Sequence, residues 1–160
     1  MNDQLDDMYR EVILDHYRAP RGSKPIEHID LTSEGKNPSC GDEIALTVAM
    51  DDGRVQDIHI DCHGCAISTA SASMLAEYIK GKTLDDAIRI ADIVKKMLKG
   101  EDVVIPDDYD DLEALKGVRN FPVRIKCALL AWMTLIEGLK NYKAGLDAKH
   151  VTSVSTEDKE

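Results

Sequence analysis

The side chains best suited to chemistry in this chain are its four cysteines, Cys40, Cys62, Cys65 and Cys127. Cys40 stands in Asn37-Pro38-Ser39-Cys40-Gly41-Asp42, two residues before a carboxylate. Cys62 and Cys65 belong to Cys62-His63-Gly64-Cys65, and Cys127 lies in the apolar run Ile125-Lys126-Cys127-Ala128-Leu129-Leu130. Thiols drawn from three separate segments, one beside an aspartate, suit a site that holds a soft metal or handles sulfur better than a disulfide framework.

Each thiol has its own local chemistry. Asn37-Pro38 is a turn signal and Gly41 permits an unusual backbone angle, so this loop can aim Cys40 and Asp42 at one point. The plainer reading is a turn before a strand, with Cys40 as a small apolar residue. Cys65 follows a strand and opens a helix, where the N-terminal dipole favours a thiolate. Cys127 falls in the second turn of a long helix near Arg124 and Lys126, which would give a similar, weaker effect; taken by itself, a core cysteine on an apolar helix is the better reading.

The Cys62–Cys65 spacing invites a redox reading, but the parallel βαβ unit that such a motif needs is missing. A zinc ribbon would want a second close pair. Cys62 is read as a spare thiol near the site, His63 as a solvated loop residue, and His16, His28, His59 and His150 as structural or exposed. Three thiolates and one carboxylate would satisfy tetrahedral zinc, with Zn–S about 2.3 Å. The same donors suit an iron–sulfur cluster.

Elements must bring these residues together. Leu5, Met8, Tyr9, Val12, Ile13 and His16 form a helical stripe that ends before Pro20. Residues Ile29 to Glu34 predict a short strand. Ile44, Leu46, Val48 and Met50 alternate with smaller or polar residues, and Val55, Ile58 and Ile60 do so beyond Asp51-Asp52-Gly53, which predicts an antiparallel hairpin leading into Cys62-His63-Gly64-Cys65. The Ala/Ser-rich run Ala66 to Lys80 predicts a helix that another element can approach closely. Thr83 predicts an N-cap, with Leu84, Ile88, Ala91, Val94 and Leu98 as a buried stripe ended by Gly100. Glu101 to Asp111 reads as a loop, Leu112 to Lys116 as one helical turn, and Pro122 to Tyr142 as the longest helix. The expected fold class is α+β, a small antiparallel sheet of about three strands with helices packed on one face. Residues 1–143 are expected to form one domain and 144–160 a polar, disordered tail.

With 160 residues, 43% hydrophobic and 31% charged, the chain has the balance of a soluble globular domain. Its net charge of −10 disfavours nucleic acid and suits a basic patch on a partner protein. The acidic start carries no apolar signal core and no stretch is long enough to span a bilayer, so a cytoplasmic location is expected, where thiols stay reduced.

Three motifs in order resemble the IscU/NifU-N-terminal family: Asn37-Pro38-Ser39-Cys40-Gly41-Asp42, then Gly64-Cys65-Ala66-Ile67-Ser68-Thr69-Ala70-Ser71-Ala72-Ser73-Met74, then Phe121-Pro122-Val123-Arg124-Ile125-Lys126-Cys127-Ala128. The match begins near Asp15-His16-Tyr17-Arg18-Ala19-Pro20-Arg21 and leaves out only the tail. It looks most like the SufU branch, because Lys126 stands where IscU-type proteins carry a histidine and Glu101 to Gly117 fits the SufU insertion. The resemblance implies a NifU/IscU-like fold and a zinc site built from Cys40, Asp42, Cys65 and Cys127. It also implies a zinc-dependent sulfurtransferase in which Cys40 accepts persulfide sulfur from a SufS-type cysteine desulfurase and passes it to a downstream iron–sulfur assembly scaffold. The alternative within the family is an IscU-like scaffold that itself carries an iron–sulfur cluster.

Overall fold

The computed structural model describes residues 3–146 and 149–157. Helix α1 (Asp3–Arg18) precedes strands β1 (Leu31–Asn37), β2 (Asp42–Asp51) and β3 (Arg54–His63); α2 (Ala66–Ile79), α3 (Leu84–Leu98), a 3₁₀ segment (Asp107–Asn120), α4 (Pro122–Lys143) and β4 (Val151–Ser155) follow. The sheet order is β3-β2-β1-β4. β1, β2 and β3 pair antiparallel, as the alternation predicts, and Asp52 and Gly53 turn the β2–β3 hairpin with φ of 51° and 75°. The α+β class therefore holds.

Two expectations need correction. Residues 151–155, read from the sequence as part of a disordered tail, form β4, which runs parallel to β1 with Thr32 opposite Val151 and Lys36 opposite Ser155. Without β4, β1 would present an open row of N–H and C=O groups at the sheet edge. Val151-Thr152-Ser153-Val154-Ser155 fills that edge with alternating burial, Thr152 and Val154 inward. Its β-branched residues fit a pleated surface, and the weak signal was masked by the polar residues around it. The sheet is thus four-stranded and mixed. The second correction is the acidic stretch read as a loop, whose later part, from Asp107, joins the 3₁₀ segment and buries Tyr109. The Leu5 and Met8 side chains of the expected α1 stripe, and tail residues 147–148 and 158–160, lie outside the described residues.

One face of the sheet is apolar. Leu46, Val48 and Val55 are fully buried beneath Leu75, Ile79, Leu130, Trp132 and Leu135. The small residues of α2 let α4 come close: Ser71 Oγ donates to the Ala128 carbonyl at 2.7 Å and accepts from Trp132 Nε1 at 2.8 Å. On the sheet side, Ser33 Oγ donates to the Thr134 carbonyl at 2.8 Å. These buried bonds fix the first half of α4, and with it Cys127, against both α2 and β1. His16 is a core histidine, as expected. Its Nδ1 lies 2.7 Å from Ser73 Oγ and its Nε2 3.0 Å from Asp111 Oδ2, which ties α1 to α2 and the 3₁₀ segment.

Candidate metal and sulfur site

Three chain segments converge at one end of the sheet. The β1–β2 hairpin closes through Asn37, whose carbonyl accepts the Cys40 and Gly41 N–H groups at 3.2 and 2.9 Å. Gly41 takes φ +75°, the left-handed angle its type allows. That tight turn lifts Cys40 to a half-buried position and leaves Asp42, the first residue of β2, 2% exposed. The β3–α2 junction delivers Cys65 as N-cap of α2. The second turn of α4 delivers Cys127, which is fully buried.

Ligand atoms of Cys40, Asp42 and Cys127 lie within 4.8 Å of one another. Cys65 borders this cluster. Its backbone N–H donates to Asp42 Oδ1 at 3.1 Å, and its sulfur is turned toward its own helix, accepting from the Ser68 N–H at 3.5 Å. The Cys65 and Cys127 thiols are close enough to influence each other's ionisation. Gly64 makes the approach possible, because a Cβ there would stand 2.5 Å from Asp42 Oδ1. The same Cβ would also meet Ser68 Oγ, so Gly64→Ala is expected to displace both side chains, lowering the melting temperature of metal-free protein and weakening metal binding about 10-fold or more in a chelator competition.

The thiols are electrostatically unequal. Burial opposes ionisation of Cys65, but the Ser68 backbone N–H and hydroxyl and the Cys127 thiol outweigh it, so the Cys65 thiol sits below its ordinary value. Of these, the Ser68 N–H belongs to the first turn of α2, the helix start that the sequence points to. Cys127 goes the other way: burial first, then Asp42, Cys40 and the charge on Cys65, push its thiol far above the ordinary range. Cys127 is thus the core cysteine that its apolar run suggests, and burial, with Asp42 and the neighbouring thiols, outweighs any help from the helix start. Burial also pushes the Cys62 thiol up; Cys62 stands outside the cluster, beside Ser68 and Thr69. His63 is exposed and pairs with Asp61 at 3.2 Å.

The Arg124 guanidinium lies beside the Cys127 sulfur and near those of Cys65 and Cys40. Lys126 turns away to Glu157, 2.7 Å from its Oε1. Sequence reasoning missed Asn37 as more than a turn residue. Its buried Nδ2 donates to Asp42 Oδ2 at 3.2 Å and to Cys127 Sγ at 3.5 Å. Its place beside the Cys40 motif was the available signal.

A half-exposed cysteine above a buried aspartate and a buried cysteine, with a helix-capping cysteine beside them, defines a thiol-rich centre able to take a soft cation or to present a nucleophilic sulfur. The chain belongs to the family described as NifU-like N terminal domain, which matches residues 8–148. It is 42% identical over 144 residues, 90% of this chain and 97% of the relative, to the Bacillus subtilis protein named zinc-dependent sulfurtransferase SufU. It is 35% identical over 155 residues, 97% of this chain and 95% of the relative, to the Streptococcus pyogenes protein named iron-sulfur cluster assembly scaffold protein IscU. A crystal structure of a putative iron-sulfur cluster assembly scaffold protein for the SUF system from Fervidobacterium islandicum superposes with TM-score 0.75 at 33% identity, covering 86% of this chain and 99% of that one. The resemblance read from the three motifs, SufU branch included, is thus borne out.

Proposed function

We propose that this protein is a zinc-dependent sulfurtransferase that accepts persulfide sulfur from a SufS-type cysteine desulfurase for iron–sulfur cluster assembly. The observation that carries the reading is the cluster itself: Cys40, half-buried on a tight turn, stands within 4.8 Å of the buried Asp42 and Cys127 donors. Its likeness to the B. subtilis relative supports the same choice.

The donor set fits zinc. Tetrahedral ligands at about 2.3 Å stand about 3.8 Å apart, inside the spread of the three donors. Cys65, which borders these three, would supply the fourth ligand if its sulfur turned from the Ser68 N–H toward the cluster. Cys40, Asp42, Cys65 and Cys127 would hold the zinc, which would supply a Lewis acid that keeps bound cysteine sulfur as thiolate. The chain's own residues supply the rest. Asn37 fixes Asp42 and Cys127, the Gly41 turn presents Cys40 outward, and Arg124 offsets negative charge over the sulfurs. In the transfer, the Cys40 thiolate attacks the terminal sulfur of the donor cysteine persulfide. The new S–S bond forms at Cys40, the donor S–S bond breaks, and the donor cysteine leaves as thiolate, with no net oxidation.

Because Cys127 holds its proton far above the ordinary thiol range, zinc uptake must displace that proton at neutral pH. Zinc affinity is therefore expected to fall as pH falls, by about tenfold per unit for each proton displaced. Calorimetry in buffers of different ionisation enthalpy reads the proton count. Fewer than one proton released per zinc at pH 7 would count against Cys127 as a ligand.

The same donors suit an iron–sulfur cluster, and the S. pyogenes relative carries a scaffold name. Lys126, drawn to Glu157, offers no ligand where a histidine would. Metal analysis of aerobically purified protein decides between them: one zinc per chain and no colour supports the transferase, a coloured protein with iron and sulfide supports the scaffold. Mass spectrometry of the thiols after incubation with a cysteine desulfurase and cysteine tests the transfer directly, with one added sulfur expected at Cys40.

A further inference from the structure

β4 begins at Val151, after the family match ends at residue 148, and its end reaches the sulfur site. Thr156 N–H donates to the Lys36 carbonyl at 3.0 Å, and Thr156 Oγ1 donates to Asn37 Oδ1, also at 3.0 Å. The same amide turns its NH₂ to Asp42 Oδ2 and Cys127 Sγ, which leaves its oxygen to accept from Thr156. The next residue acts on the turn itself. Glu157 Oε1 accepts from Ser39 Oγ at 2.8 Å and from Lys126 Nζ at 2.7 Å, and these residues immediately precede Cys40 and Cys127.

We propose that the C-terminal segment Val151–Glu157 is a clamp on the sulfur site: Thr156 orients the Asn37 amide that holds Asp42 and Cys127, and Glu157 ties the Cys40 turn to α4. Thr156, Glu157 and Asn37 are positioning residues, since none of them meets the transferred sulfur. β4 is a short edge strand whose one sheet neighbour among the described residues is β1, so the Thr156–Glu157 end of the clamp can open while the Thr152 end stays tied to α4. Opening frees Asn37 and the Cys40 turn together. The anchor at its other end is a bond from Asn141 Nδ2 to Thr152 Oγ1, at 2.8 Å.

The zinc part of this inference rests on the function proposed above, and the test separates the two. Thr156→Val removes the hydroxyl and keeps the β-branched shape; Thr156→Ser restores the donor. Zinc-loaded Thr156→Val protein is expected to release its metal to a chromophoric chelator about fivefold faster than wild type, the worth of one neutral hydrogen bond, and Thr156→Ser to behave as wild type. The visible bands of the cobalt-substituted protein should shift in Thr156→Val and not in Thr156→Ser. In metal-free protein, hydrogen exchange at the Cys40 and Gly41 amides is expected to quicken by a similar factor in Thr156→Val, and at least twofold in Glu157→Gln. Unchanged exchange in both variants overturns the clamp, as does a Thr156→Ser protein that releases zinc as fast as Thr156→Val. If wild-type protein takes up no zinc, the transferase reading fails and the amide exchange rates alone decide the clamp.

Discussion

Cys40→Ala protein mixed with a cysteine desulfurase and cysteine is expected to gain no sulfur atom and to lose stimulation of the desulfurase by several orders of magnitude. Removing a covalent nucleophile leaves no alternative path through the same site. The variant should still bind zinc, at reduced affinity, because Asp42, Cys65 and Cys127 remain. The geometry favours Cys40 as acceptor for a reason of access. It is half-buried on a turn, whereas Cys127 is sealed beneath it and holds its proton tightly. Cys65 is the competitor, since its thiol ionises more readily. Thiolate fraction is only one factor in exchange, because a thiol's intrinsic nucleophilicity falls as its pKa falls. If the added sulfur appears on Cys65 in wild-type protein, or if Cys40→Ala keeps full stimulation, the acceptor is not Cys40.

Cys127→Ala should have the other large effect, losing zinc and stability together. Metal that binds only folded protein stabilises it by RT ln(1 + [Zn]/Kd), about 4 kcal/mol when free zinc is 1,000 times Kd. Deleting a buried thiol from the base of α4 adds roughly 1–2 kcal/mol. For a chain of this length that corresponds to a melting temperature about 10–20 °C lower in the presence of zinc. Stripped of metal, wild type and variant should differ only by the smaller packing contribution. Calorimetry with and without zinc separates the two. A variant that keeps wild-type zinc affinity would remove Cys127 from the ligand set and, with it, the buried half of the proposed centre.

Much of the fold was legible because burial is periodic. Ile44, Leu46, Val48 and Met50 mark β2, the Asp52-Gly53 turn fixes its partner, and Thr83 caps α3 with Asp86 N–H at 3.2 Å from its hydroxyl. β4 was not legible because five residues of modest hydrophobicity become a strand only against the open edge of β1. The 3₁₀ segment was hidden for a similar reason. Its acidic residues read as solvated, yet the segment buries Tyr109, Leu112 and Leu115 against the helices.

The sequence by itself determined the donor atoms: which residues carry sulfur, which carboxylate stands two positions from Cys40, and which turns and caps present them. Tertiary structure alone decided how those donors differ. Cys65 and Cys127 are both cysteines near the start of a helix, yet one thiol is lowered by the Ser68 N–H and the other raised by burial among Asp42, Cys40 and Cys65. It also decided that Asn37, an ordinary turn residue, binds two members of the cluster while Thr156, far along the chain, holds it in place. Ionisation and hydrogen bonding depend on what surrounds an atom within a few ångströms, and those neighbours come from β1, β2, α2, α4 and β4, segments that meet only when the chain is folded.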